Sequence, residues 1–176
     1  MEHSYIDRVI SGDIEAFTYF VEIYKGMAFN IAFSIIKDEH YAEEITQDAF
    51  MKAFHGLKSF NRKAKFKSWF YRIVVNESFL RLRTLSKSKT FVPIEEQNEV
   101  ILEEEFDIVS EEHRDKIHRA LALLDARESL ALELFYLQEL SIKEITTITG
   151  WTKGNSKVIL HRARKNLRQI WKKIQY

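Results

Sequence analysis

The sequence predicts an all-α protein: two helical domains joined by an acidic linker, the C-terminal one a helix-turn-helix. Three observations predict it. Apolar residues return at three- and four-residue steps along most of the chain, the period of one helix face. Five Gly and one Pro in 176 residues are too few punctuators for a fold of many β-turns. Charge is sorted by position: residues 1–92 hold 14 Lys/Arg and 11 Asp/Glu, residues 93–112 hold none and 9, and residues 113–176 hold 13 and 6. The formal net charge of +1 thus hides two basic blocks around an acidic strap, and the distribution says more about partners than the total does.

Composition removes several classes. The absence of cysteine excludes disulfides and thiolate metal sites and fits a cytoplasmic location. No apolar run approaches a membrane span, and the start, Met1 to Tyr5, lacks the basic and apolar segments of a signal peptide. No P-loop, nucleophile elbow or paired-carboxylate motif points to an enzyme, and no cofactor is implied.

The first block reads as helical throughout. Ser11-Gly12-Asp13 closes a short helix and caps a long one, along which Phe17, Phe20, Tyr24, Met27, Ile31 and Ile35 share a face. Asp38 opens the next, with Ile45, Ala49, Ala53 and Leu57 on its core side. A turn over residues 56–64 precedes a helix from Phe66 to about Ser86, where Phe66, Trp69, Ile73 and Leu80 align. Tyr71, Val75 and Leu82 form a second apolar face on that helix, which must therefore be covered on two sides. Pro93 and the acidic run Glu95 to Glu112 read as an extended linker. In the second block, residues 113–124 carry Ile117, Leu121 and Leu124. Asp125 with Glu128 caps a helix bearing Leu130, Leu134 and Leu137.

Ser141 and Glu144 form a capping box, Gly150 supplies a left-handed stop and Thr152 can cap a second helix. This is a helix-turn-helix, whose second helix lies in the major groove of duplex DNA. On that helix Leu160, Ala163, Leu167, Ile170, Trp171 and Ile174 fall in one stripe. Ser156 points at the core and Ile159 at its margin. Val158, His161, Arg162, Lys165 and Lys172 fall opposite the stripe, and Lys157 lies at its border. Cations there suit phosphates and base edges, and an apolar Val158 suits a thymine methyl. Lys153 and Asn155 stand at the helix start.

A second cationic segment lies between Lys58 and Lys89, with ten Lys/Arg and one acid, Glu77. Aromatics interleave with them, a pattern that suits unpaired bases on a phosphate track. Phe66, Trp69 and Phe70 lie near the core stripe and are as well explained by packing. Phe60 and Asn61 fall in the turn, outside any stripe, and are the better candidates to touch a base.

Together these features resemble a bacterial RNA polymerase sigma factor of the extracytoplasmic-function (ECF) type. Three stretches carry the resemblance: Tyr41-Ala-Glu-Glu-Ile-Thr-Gln-Asp-Ala-Phe-Met-Lys-Ala-Phe54, Phe66-Lys-Ser-Trp-Phe-Tyr-Arg-Ile-Val-Val-Asn76, and the helix-turn-helix with His161-Arg-Ala-Arg164. It implies a non-enzymatic protein that binds core RNA polymerase and directs it to particular promoters. Residues 1–92 would then be sigma domain two, 93–112 the linker and 113–176 sigma domain four. The resemblance assigns polymerase binding to the polar face of the first stretch, Glu44, Gln47, Asp48, Met51, Lys52 and His55. A large apolar Met51 among charges independently marks an interface. The resemblance assigns the minus-ten element, read as unpaired non-template strand, to the Phe66–Asn76 stretch, here Trp69, Arg72 and Asn76, and the cationic turn before it adds Phe60, Asn61, Arg62, Lys63 and Lys65 as candidates for the same strand. The resemblance assigns the duplex minus-thirty-five element to Lys153, Asn155, Lys157, Val158, His161, Arg162 and Lys165. Members are often held by an anti-sigma factor, and membrane insertion is not expected.

Two other readings compete. A stand-alone helix-turn-helix regulator would leave the Lys58–Lys89 segment without a task. His40, Glu44 and Asp48 recur at four-residue spacing and could present metal ligands, but no second ligand cluster accompanies them.

Overall fold

The computed structural model describes residues 2–87 and 120–174. The expected acidic linker and Ile117 lie outside the described residues. Among the described residues there is no strand, and the fold is all-α.

Helix α1 (Glu2–Ile10) is followed by a 3-10 turn (Ile14–Phe17) that leads into α2 (Thr18–Ile36). Asp13 caps the 3-10 turn, its Oδ1 accepting from the Ala16 amide at 3.2 Å, so the cap expected for the long helix acts one turn earlier. Lys37 ends α2 in a left-handed conformation (φ 58°). Asp38 then caps α3 (Glu39–Gly56) by accepting from the Tyr41 amide at 3.0 Å. A second 3-10 turn (Leu57–Ser59) and the loop 60–65 connect to α4 (Phe66–Lys87). Helices α2, α3 and α4 pack around Phe20, Ile31, Ile45, Ala49, Phe66 and Phe70, all buried.

Helix α4 departs from the predicted stripe. Phe66, Phe70, Tyr71, Val74, Val75 and Ser78 are its buried residues, Trp69 and Ile73 are half-buried, and Leu80 is 55% exposed. The reason is that α4 is gripped from two sides, as its second apolar face requires. One grip comes from α2 and α3, and the other from the C-terminal half.

That half contains a helical turn at residues 120–122, then α5 (Ala126–Leu132), α6 (Ile142–Thr149) and α7 (Lys153–Ile174). Asp125 caps α5, accepting from the Arg127 amide at 2.8 Å. After α5 the backbone widens into a π turn (Glu133–Leu137). The extra residue per turn rotates the positions beyond it, so Leu130 and Leu134 are buried while Leu137, expected on the same stripe, is 49% exposed.

Leu130, Leu134, Leu140, Ile145 and Ile148 join one continuous core with the N-terminal helices, while Leu124, Leu132, Ile159, Leu160 and Ala163 form a second cluster. Helix α6 lies against α4, and α5 against α2. Polar groups cross the seam. Lys37 Nζ donates to the Leu121 carbonyl at 2.6 Å, and Arg72 Nη1 reaches the Thr147 carbonyl at 3.5 Å. Burial pulls the Lys37 ammonium down to about 8, against the opposing pull of Asp125 and Glu133. A lysine whose value falls on docking opposes docking fully below about 8 and ceases to oppose it above its free value of 10.5. The two halves should therefore hold together more tightly at pH 9.5 than at pH 7 (bounds set by that shift). Small-angle scattering checks this: the radius of gyration should fall between those pH values, and Lys37→Met should remove the response.

Candidate nucleic-acid interface

The helix-turn-helix is built by local chemistry. Ser141 Oγ accepts from the Glu144 amide at 3.3 Å, and Glu144 Oε2 accepts from the Ser141 amide at 2.9 Å, completing the box. Gly150 takes φ 76° and returns its N–H to the Thr146 carbonyl at 2.9 Å, a backbone that favours glycine. Thr152 Oγ1 accepts from the Asn155 amide at 3.2 Å and starts α7. The Ser141 bonds hold the Glu144 carboxyl below the usual range, with smaller help from Lys65 and Lys67.

On α7 Ser156, Ile159, Leu160 and Ala163 are buried, Leu167 and Ile170 are half-buried against the same cluster and Trp171 is half-buried, so the stripe drawn by the wheel is fully covered only in its first half; Ser156 Oγ donates to the Thr152 carbonyl at 3.0 Å. Lys153, Asn155, Lys157 and Lys165 are exposed; Val158, His161 and Arg162 are half-buried. Arg162 is not a purely outward cation, since it lies close enough to Glu128 to favour that carboxylate. Glu128 also accepts from Asn166 Nδ2 at 2.8 and 3.0 Å, tying α5 to α7, while burial raises its own carboxyl. Arg164 lies 5.8 Å from the ring centres of both Phe135 and Tyr136. Glu128 and Arg164 orient the helix through residues of α5 and the π turn, which the α7 periodicity alone does not reveal.

The loop before α4 corrects one expectation. Phe60 does not stand clear of the core. It is 8% exposed, with its ring 4.8 Å from Trp69 and 6.2 Å from Phe66. A turn position does not decide burial when a half-buried indole from the next helix closes over it. Gly56 is part of this fit, because a Cβ there would meet Trp69 at 3.3 Å. The exposed polar loop residues are Asn61, Arg62, Lys63 and Lys65, joined on α4 by Arg72 and Asn76. Asn61 Oδ1 accepts from the Lys63 amide at 3.1 Å, and Arg62 has φ 57°.

On α3, Gln47, Asp48, Met51, Lys52 and His55 are exposed, with Met51 at 57%. Two ion pairs frame this face on the α4 side, Lys52–Glu77 at 2.7 Å and Glu44–Arg81 at 3.0 Å. His40 Nε2 lies 3.3 Å from Glu44. Among the described residues no group of three or more His, Cys, Asp or Glu is placed to hold a metal ion.

A helical domain carrying an exposed cationic loop and a second domain carrying a capped helix-turn-helix make up the two-domain architecture of a sigma-70-type protein. Family models for Sigma-70 region 2 and Sigma-70, region 4 match residues 20–88 and 114–167. The chain is 30% identical over 175 residues to the ECF RNA polymerase sigma factor SigW of Bacillus subtilis, covering 93% of each chain. It is 28% identical over 170 residues to the ECF RNA polymerase sigma-E factor of Escherichia coli K12, covering 91% of this chain and 88% of that one. The protein belongs to the extracytoplasmic-function sigma factors. It serves promoter-specific transcription initiation with RNA polymerase, and the stand-alone regulator is not favoured. Among solved structures the fold is similar to the sigma factor RpoE in complex with the anti-sigma factor NepR from Bartonella quintana (TM-score 0.69, 24% identity, 89% and 96% of the chains). It is also similar to CnrH in complex with the cytosolic domain of CnrY (TM-score 0.66, 20% identity, 94% of each). Among the described residues no helix is long and apolar enough to cross a membrane.

Proposed function

We infer that the chain divides its promoter reading between its two halves. Residues 1–92 hold core polymerase and the unpaired minus-ten strand, residues 93–112 link, and residues 113–176 hold the duplex minus-thirty-five element. The action is binding without catalysis, in the cytoplasm. The observation that carries this reading is the exposed Asn61–Lys65 loop. It is polar and cationic, and it is set on a locked aromatic base of Phe60, Trp69 and Phe66. Core polymerase docks on the α3 face around Gln47, Asp48 and Met51. On α7, Lys153, Lys157 and Lys165 serve phosphates, while Asn155, Val158 and His161 lie toward base edges and Arg162 toward the border shared with Glu128.

Asn61→Ala tests the reading in the reconstituted holoenzyme. Open-complex formation on duplex promoter should fall by about tenfold, the scale of one lost base contact of 1–3 kcal/mol. Affinity for core polymerase should be unchanged. Permanganate footprints of the melted region identical to wild type would remove the loop from DNA reading.

A further inference from the structure

Helix α1 lies outside the residues matched to Sigma-70 region 2, yet it touches the loop assigned to the minus-ten strand. It is a fixed support. Ile6 and Val9 are buried, the Tyr5 and Tyr19 rings stack at 3.9 Å with 2° between planes, and Tyr24 donates its hydroxyl proton to Glu2. From the exposed side of this helix Asp7 forms an ion pair and hydrogen bond with Arg62, 55 residues along the chain. Arg62 is also the loop residue with a left-handed backbone, a conformation that an ordinary side chain adopts only where its surroundings hold it. On either side of it, Asn61 closes on the Lys63 amide and Phe60 is locked beneath Trp69. The loop is thus pinned at three points: an aromatic base, an internal turn and the carboxylate of Asp7. The Arg62 hydrogen bond holds the Asp7 carboxyl below its usual range, so the pin is charged at neutral pH.

An anion beside a cationic DNA loop lowers affinity for phosphates, so its benefit must lie elsewhere than in affinity. We propose that Asp7 is a positioning residue for promoter selection: by holding Arg62 it fixes the geometry in which Asn61 and Lys63 meet the unpaired strand. This rests on the assignment of the loop to the minus-ten strand. Loss of the Asp7 charge acts in two opposite directions. The loop gains attraction for any single strand, because an anion is gone and the Arg62 guanidinium is released to phosphates. It loses discrimination among bases, because Asn61 is no longer held at one angle. A residue that merely stabilised α1 would move both in the same direction.

The experiment uses holoenzyme with wild-type, Asp7→Asn, Asp7→Glu or Asn61→Ala chains. Their affinities are measured for single-stranded non-template oligonucleotides carrying the preferred minus-ten sequence and each single-base change. Asp7→Asn should bind the changed sequences more tightly and discriminate about threefold less, the scale of one exposed ion pair. Asp7→Glu should restore discrimination, and the Lys63 amide of the free Asp7→Asn chain should exchange faster with deuterium. Normal discrimination in Asp7→Asn while Asn61→Ala loses it would overturn the positioning role and leave the loop assignment standing. Normal discrimination in both variants would overturn the two together. Asp7 is exposed on a helix surface, and unchanged circular dichroism in Asp7→Asn confirms that the fold is intact.

Discussion

Phe66→Ala is expected to lower the unfolding free energy by about 3–5 kcal/mol, the range for deleting a buried ring. Phe66 is 2% exposed at the first turn of α4 and sits at the centre of an aromatic cluster. Its ring centre lies 4.2 Å from Phe20, 5.6 Å from Tyr24, 5.6 Å from Trp69 and 5.8 Å from Phe70. Surrounding rings are too rigid to collapse into the space, so the cavity term adds to the lost transfer energy. The loss should also loosen the base under Phe60, so the environment of Trp69 should change in the folded variant. Urea titration measures the first effect and Trp69 emission the second. A stability loss below about 1 kcal/mol would show that this ring is not packed as described.

Asp48→Lys combined with Met51→Ala is expected to reduce affinity for core polymerase by at least about 30-fold, the effect of losing roughly 2 kcal/mol at an interface centre. Both residues are exposed on α3, so neither change should unsettle the three-helix core. Met51 is a large apolar side chain open to water beside the Lys52–Glu77 pair, and that exposure is removed when a partner covers it. Helicity should be unchanged by circular dichroism. Unaltered retention of the double variant on immobilised core polymerase would move the docking face away from α3.

The parts of this structure written in short-range chemistry were legible in the sequence. The Ser141–Glu144 box, the Gly150 stop and the Thr152 cap each depend on residues within four positions, and all three form. The α3 wheel was legible too, because one side of that helix is buried and the other is open. Features that depended on distant partners were not. Phe60 looked free because its turn carries no periodicity, yet Trp69 arrives from another element to bury it. Leu80 falls on the core stripe of a regular wheel, and the second grip on α4 displaces that stripe. Leu137 follows from a constant helical period that the π turn breaks. The Asp7–Arg62 pair spans 55 residues, and no local pattern announces it.

The seat of α6 on α4 also sets a population. Arg72 reaches the Thr147 carbonyl there, and Ile145 and Ile148 are buried in the shared core. A ligand that needs that side of α4 can engage only those molecules in which the two helices have parted. Its apparent dissociation constant is then the intrinsic one divided by the parted fraction. Each 1.4 kcal/mol of closure weakens such a ligand about tenfold, without altering a single atom of its own contacts. By the same relation, any partner that binds only the parted form raises the affinity of every other ligand of that face by the factor through which it raises the fraction. The strength of the seam is therefore a dial on how strongly one binding event conditions the next.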